Sequence, residues 1–183
     1  MHHDELWQLF DKNGQPKMDG GYPSKLGNPR PGSDKVYGVT TIYLYRRTPD
    51  GLELLFQKRG EKVDKYPGEW DAAAGGHINF GESILGAARR EAREEIGVEI
   101  TTDDLEYVCS ACRNQNSIYW AFCVDWTDKA DAFHFDDGEV SEVRWVPYRE
   151  LNGFLKDYVK EPLREDAVFF AILDRWLKDR GYC

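Results

Sequence analysis

Residues 76–98 read GHINFGESILGAARREAREEIGV, and this stretch decides the fold. Leu85, Ala88, Ala92 and Ile96 recur at steps of three and four, which predicts a helix over 83–96 with one apolar stripe. Gly97 stands where a left-handed C-terminal cap belongs. Glu91, Glu94 and Glu95 fall at i, i+3 and i+4, so on a helix they share one arc of about 100°. Like charges so spaced repel by a few tenths of a kcal/mol per pair. They also sit in the C-terminal half, where the macrodipole disfavours anions. A solvated acidic face tolerates this. A divalent cation would instead turn the repulsion into a binding site, and hard oxygen ligands suit Mg²⁺ or Mn²⁺. Arg90, four residues before Glu94, can pair with or orient a carboxylate, and Glu82 can fold back toward the same face.

Outward from the helix, strands are expected on both sides. Residues 36–47 are β-branched and aromatic, Pro49-Asp50-Gly51 turns the chain, and 52–59 returns, so the pair reads as a hairpin. Residues 70–78 are extended, with small side chains from Ala72 to Gly76 that let a backbone or ligand come close. Further strands are expected near 105–113, 118–126 and 140–146, a short helix over 147–155, and an amphipathic helix on Val168, Phe169, Ile172, Leu173, Trp176 and Leu177. Strands and helices interleave around one core, which makes the class α+β. A short strand over 6–10 and a turn at Asp11–Gly14 open the chain, and a Pro/Gly-rich connection over 20–32 follows. The expected organisation is an N-terminal segment, 1–35, packed on a single domain, 36–183.

The 183 residues carry 24 Lys+Arg against 33 Asp+Glu, a formal net charge of -9. That balance argues against nucleic acid and anionic membranes as partners, because both attract Lys/Arg patches. No window of about 18 apolar residues exists to cross a membrane, and the first residues lack a signal-peptide pattern, so a cytoplasmic protein is expected. Cys109 and Cys112 form a lone CxxC without the second pair that structural zinc needs, and reduced, packed thiols are expected at all four cysteines, Cys123 and Cys183 included.

The stretch 76–98 resembles the Nudix box, G-x5-E-x7-R-E-U-x-E-E-x-G-U with U apolar. Gly76, Glu82, Arg90, Glu91, Glu94, Glu95 and Gly97 fill all seven fixed positions, and Ala92 and Val98 fill the two apolar ones. A chance match of this kind is on the order of one in a million. The flanking strands match the family layout, so the likeness spans most of 36–155. It implies a three-layer α/β/α sandwich around a mixed sheet. It also implies metal-dependent hydrolysis of a diphosphate linkage in a nucleoside diphosphate derivative or similar small organic diphosphate, by water attack on phosphorus. Glu91 and Glu95 are then implied as Mg²⁺ or Mn²⁺ ligands. Glu94 is implied as a second metal ligand, a ligand through water, or the general base. Glu82 supports the cluster, Arg90 orients the carboxylates, and Gly76 or Gly75 offers a carbonyl to metal. A further metal carboxylate is expected from Glu139, with Glu142 second; a solvated acidic loop explains either equally well.

The runs Asp11-Lys12-Asn13-Gly14, Gln57-Lys58-Arg59, Lys65–Asp71 and Gly75-Gly76-His77 are similar to the branch around isopentenyl-diphosphate isomerase. His77 fits that branch's metal histidine, but Gly75 stands where its catalytic cysteine belongs, and only His2 and His3 precede His77. The expectation is a hydrolase of that branch. True isomerase activity, or a non-catalytic module that binds a nucleotide, are the alternatives. Arg59, Lys62, His77 and Arg113 are the candidate substrate contacts; solvent exposure, or for His77 a polar strand end, is the plain explanation of each. Tyr66 and Trp70 could stack on a base or anchor loop and core. Aromatic residues near both termini (Trp7, Phe10, Phe169, Phe170, Trp176) suit a homodimer or the chain's own core equally.

Overall fold

The computed structural model describes residues 6–18, 22–23, 35–113, 116–136, 138–158 and 167–182. Outside them lie His2, His3, Asn114, Gln115, Asp137, Cys183 and the 20–32 connection except Tyr22–Pro23. The strands are β1 (Leu6–Trp7), β2 (Leu9–Asp11), β3 (Tyr22–Pro23), β4 (Lys35–Thr48), β5 (Gly51–Arg59), β6 (Trp70–Ala72), β7 (Ala74–His77), β8 (Glu106–Arg113), β9 (Ser117–Asp125) and β10 (Val140–Pro147). The helices are α1 (Ile84–Ile96), α2 (Leu151–Tyr158), which follows a 3₁₀ turn at Tyr148–Glu150, and α3 (Ala167–Asp179).

The hub is β4. Along one edge it pairs antiparallel with β2, then β7, then β5, and along the other it pairs parallel with β9 from Tyr37↔Ser117 to Tyr45↔Asp125. The path β10-β5-β4-β9-β8 completes a mixed sheet, while β1 and β3 make a separate pair. Alternation along β4 explains why both faces are covered. Ile42 and Leu44 point to a cluster with Ala87, Ala88, Ala92 and Ile96 of α1. Tyr43 and Tyr45 point to the opposite cluster with Leu151, Phe154 and Leu155 of α2 and Phe169, Leu173 and Trp176 of α3. The result is the α/β/α sandwich.

Local expectations shift: the strand expected over 6–10 is two, because β1 pairs with β3 and β2 with β4, and Gln8 falls between them. The extended stretch over 70–78 is two strands, because β6 pairs with β5 and β7 with β4, and the break falls at Ala73. On α1 the buried residues are Ala87, Ala88, Glu91, Ala92, Glu95 and Ile96, whereas Leu85 is 37% exposed. The inward face is turned toward the glutamates, which leaves Leu85 on its margin in the first turn. Phe10, Phe169 and Trp176 are buried in the chain's own core. Trp70 is buried too, edge-on to Phe154, so it packs the core. Cys109 is buried and Cys112 exposed, as residues three apart on a strand require. Among the described residues no helix is long and apolar enough to cross a membrane.

Candidate active site

The helix α1 starts where Ser83 can cap it. The Ser83 hydroxyl accepts from Gly86 N at 3.0 Å, a bond worth about 1 kcal/mol to a helix start. It ends at Gly97, with φ 70°, where the Gly97 N–H reaches the Arg93 carbonyl at 3.1 Å. Between these ends Ala87, Ala88, Ala92 and Ile96 pack on the sheet, which sets Glu91 and Glu95 against it.

Arg90 organises the carboxylates. Its Nε and Nη2 donate to the two oxygens of Glu82 at 3.0 Å each. Nη1 donates to Glu91 Oε1 at 2.8 Å and to Glu94 Oε2 at 3.1 Å. Nη2 also donates to the His77 carbonyl at 2.9 Å. The five N–H groups of the guanidinium thus meet five acceptors. Burial works against its charge, but Glu82 and Glu91 outweigh that and hold its pKa above the usual value.

The three helix glutamates differ in environment. Glu94 is 45% exposed at its side chain, Glu91 only 12%. Burial pushes the Glu91 carboxyl up to about 7; Arg90 opposes the shift, and the charges of Glu94 and Glu139 add to it. Glu95 is raised well above the carboxylate range by burial first, then by Glu91 and Asp71, against the Gly75 N–H and Arg59. Its Oε2 accepts from Gln57 Nε2 and Gly75 N, both at 2.8 Å.

Gly76 is required by close approach. A β-carbon there would stand 2.3 Å from Glu91 Oε1. At Gly75 a β-carbon would stand 2.5 Å from the Thr40 carbonyl oxygen, so the position that holds the isomerases' cysteine has no room for a side chain.

The structure brings Glu82, Arg90, Glu91, Glu94 and Glu95 together with the backbone of Gly75, Gly76 and His77. Glu139 lies within the field of Glu91, and its carbonyl accepts from Gly60 N at 2.8 Å. Glu142 points elsewhere, to Arg144 at 3.5 Å. Arg59 donates to the Lys65 carbonyl at 3.0 Å and stands 3.9 Å from Asp71, at the edge of the cluster. Lys62 is exposed in the loop after β5. Arg113 ends β8, and its side chain lies outside the described residues. The His77 ring stacks on Trp7, centroids 3.6 Å apart. Two members had no place in the motif: Gln57, 1% exposed, and Asp71, 9% exposed, opposed to each other across β5 and β6. Asp71 is the one polar residue of β6, whereas Gln57 runs on into Lys58 and Arg59 and gave no signal of its own.

The donor set suits a hard divalent cation in chemistry. Glu91 and Glu95 are buried carboxylates that repel each other, and the buried Gln57 Oε1 has no hydrogen-bond partner among the described residues. The carboxylates do not form a closed shell: among the described residues no three His, Cys, Asp or Glu groups converge as a metal-ligand set. In this arrangement Arg90 supplies the positive charge that Glu91 meets.

Residues 36–166, most of the chain, match the family model of the NUDIX domain. The chain belongs to the Nudix family. Nudix hydrolase 3 of Arabidopsis thaliana is 32% identical over 114 residues, which are 56% of this chain but 15% of that protein. The chain therefore spans far less than two thirds of that relative's length. An isopentenyl-diphosphate Delta-isomerase of Mycolicibacterium vanbaalenii is 29% identical over 128 residues, 66% of this chain and 67% of the relative. The crystal structure of DR0079 from Deinococcus radiodurans superposes with a TM-score of 0.68 at 22% identity, covering 92% of this chain and 99% of that one. This last likeness establishes the shared fold.

Proposed function

We propose that the chain hydrolyses a diphosphate linkage in a nucleoside diphosphate derivative or a similar small organic diphosphate, with Mg²⁺ or Mn²⁺. The observation that carries this is one helix presenting two buried carboxylates, Glu91 and Glu95, beside an accessible third, Glu94. Glu91 and Glu95 would hold the cation, with Glu139 and the Gly76 carbonyl as added oxygen donors. The cation, when bound, neutralises phosphate oxygens and acidifies water. Glu94 is the group placed to take a proton from the attacking water, because it alone of the three is open to solvent. Arg90 keeps Glu91 and Glu94 aimed, and Arg59, at the edge of the cluster, and the exposed Lys62 would meet the phosphates. Isomerisation is disfavoured: Gly75 supplies no acid.

A panel of nucleoside diphosphate derivatives and simple organic diphosphates, assayed with and without Mg²⁺, tests the reading. Release of phosphorylated product from at least one compound is expected, with dependence on the cation and loss in Glu95→Gln. No turnover of any compound, with isopentenyl diphosphate converted to its allylic isomer, would replace it with the isomerase.

A further inference from the structure

We propose that Gln8, which lies outside the residues matched by the family model, is a positioning residue for the carboxylate site. The inference rests on the hydrolase reading above. Gln8 is 3% exposed, a buried amide on the short link between β1 and β2. Its Nε2 donates to the Leu9 and Lys17 carbonyls at 2.9 Å each. Its Oε1 accepts the Gly81 N–H at 3.1 Å. The backbone joins in: Gln8 N donates to the Ile78 carbonyl at 2.8 Å, and Phe80 N donates to the Leu6 carbonyl at 2.7 Å. The N-terminal segment therefore straps the loop from Ile78 to Gly81.

That loop delivers Glu82. The Glu82 side chain accepts from Asn79 N at 3.1 Å, and its two oxygens receive the Arg90 fork at 3.0 Å. Arg90 in turn holds Glu91 and Glu94. Gln8 thus acts on Glu91 and Glu94 through three intermediaries, Gly81, Glu82 and Arg90. A residue that only filled space would need no amide here. The buried side chain offers one acceptor and two donors: the acceptor takes the Gly81 N–H of the loop, and the donors tie the amide to the Leu9 and Lys17 carbonyls of its own segment.

The test compares wild type, Gln8→Met, which keeps the bulk and removes the amide, and Leu173→Ala, a destabilising change in α3 on the opposite face. Three quantities are read on the full chain well below each melting temperature. They are Gly81 amide exchange, the Arg90 Nε–H signal by NMR, and Mn²⁺ affinity with kcat and KM. In Gln8→Met the Gly81 amide exchanges faster and the Arg90 Nε–H signal broadens. Mn²⁺ affinity and kcat fall about tenfold with KM little changed, as for outer supports of a metal site. Leu173→Ala moves none of these. An unchanged Arg90 signal in Gln8→Met, or equal effects in Leu173→Ala, overturns the inference. Should Gln8→Met not fold, wild type decides: a Gly81 amide exchanging as fast as an exposed loop amide overturns it. Wild type that neither binds Mn²⁺ nor turns over substrate defeats the hydrolase reading separately, while the exchange and Arg90 signals still report on Gln8.

Discussion

Gly76 and Glu91 occupy one space: a β-carbon on residue 76 would stand 2.3 Å from Glu91 Oε1. The carboxylate cannot simply swing clear, because Arg90 Nη1 holds the same oxygen at 2.8 Å. Gly76→Ala should therefore displace Glu91 and break its bond to Arg90. With Glu91 holding the cation as proposed, its displacement should cost at least about 10–100-fold in activity, the range seen for the outer supports of metal sites. Steady-state kinetics and circular dichroism check this; full activity with an intact fold would show that Glu91 tolerates another position.

Arg90→Ala leaves Glu82 and Glu91 without their shared cation. Removing one partner of a largely buried ion pair costs about 3–5 kcal/mol, and the residual exposure of this one argues for the lower end. Denaturant unfolding measures the loss. Millimolar Mg²⁺ should restore part of it in the variant, since a divalent cation can take over the vacated charge. Arg90→Lys should behave nearer to Ala than to wild type, because three donors on one nitrogen cannot reproduce the fork to Glu82.

The pH dependence of the metal-free protein follows from Glu91. Its folded pKa, about 7, lies above the usual 4.5, so between those values the folded state binds more protons than the unfolded one. Stability then falls as pH rises through that window and is greatest below it. Thermal melts in chelator should show a rising melting temperature from pH 8 to pH 5. Added Mg²⁺ should flatten or reverse the trend, since it needs the ionised carboxylate. A metal-free melting temperature that drops steadily on acidification over this range would contradict the assignment.

Glu95→Gln separates stability from function. The buried carboxylate at 95 is disfavoured by burial and by Glu91, whereas a neutral amide fits the same pocket. The variant should melt higher than metal-free wild type and lose at least about 100-fold in kcat, the trade expected at a strained site. Calorimetry and turnover on one sample read both. A variant both less stable and inactive would mean that the Glu95 charge supports the fold.

Helix α1 and the acidic line on it were legible in the sequence because their determinants are local: apolar residues at steps of three and four, glutamates at helical spacing, and Gly97 at the C-terminal end. The hairpin of β4 and β5 was legible for the same reason, through Pro49-Asp50-Gly51. Gln57 and Asp71 were not, because they matter only through the pairing of β5 with β6, and Gln8 reaches Gly81 across most of the N-terminal half. Leu85 was placed inward by its apolar spacing, but Ala87, Ala88, Ala92 and Ile96 make the packed face and carry Glu91 and Glu95 inward with them. Polar burial of that kind has no hydrophobic signature.

The parallel pairing of β4 with β9 has a consequence for the order of synthesis. β4 leaves the ribosome with β5, β7 and α1 soon after it, but one whole edge waits for Ser117–Asp125. Pairings this far apart in sequence close late and slowly. Until they do, β4 presents an unsatisfied edge of apolar and aromatic residues, a template for association with other chains. The nascent protein is therefore most exposed to aggregation after α1 has emerged and before its sheet can close.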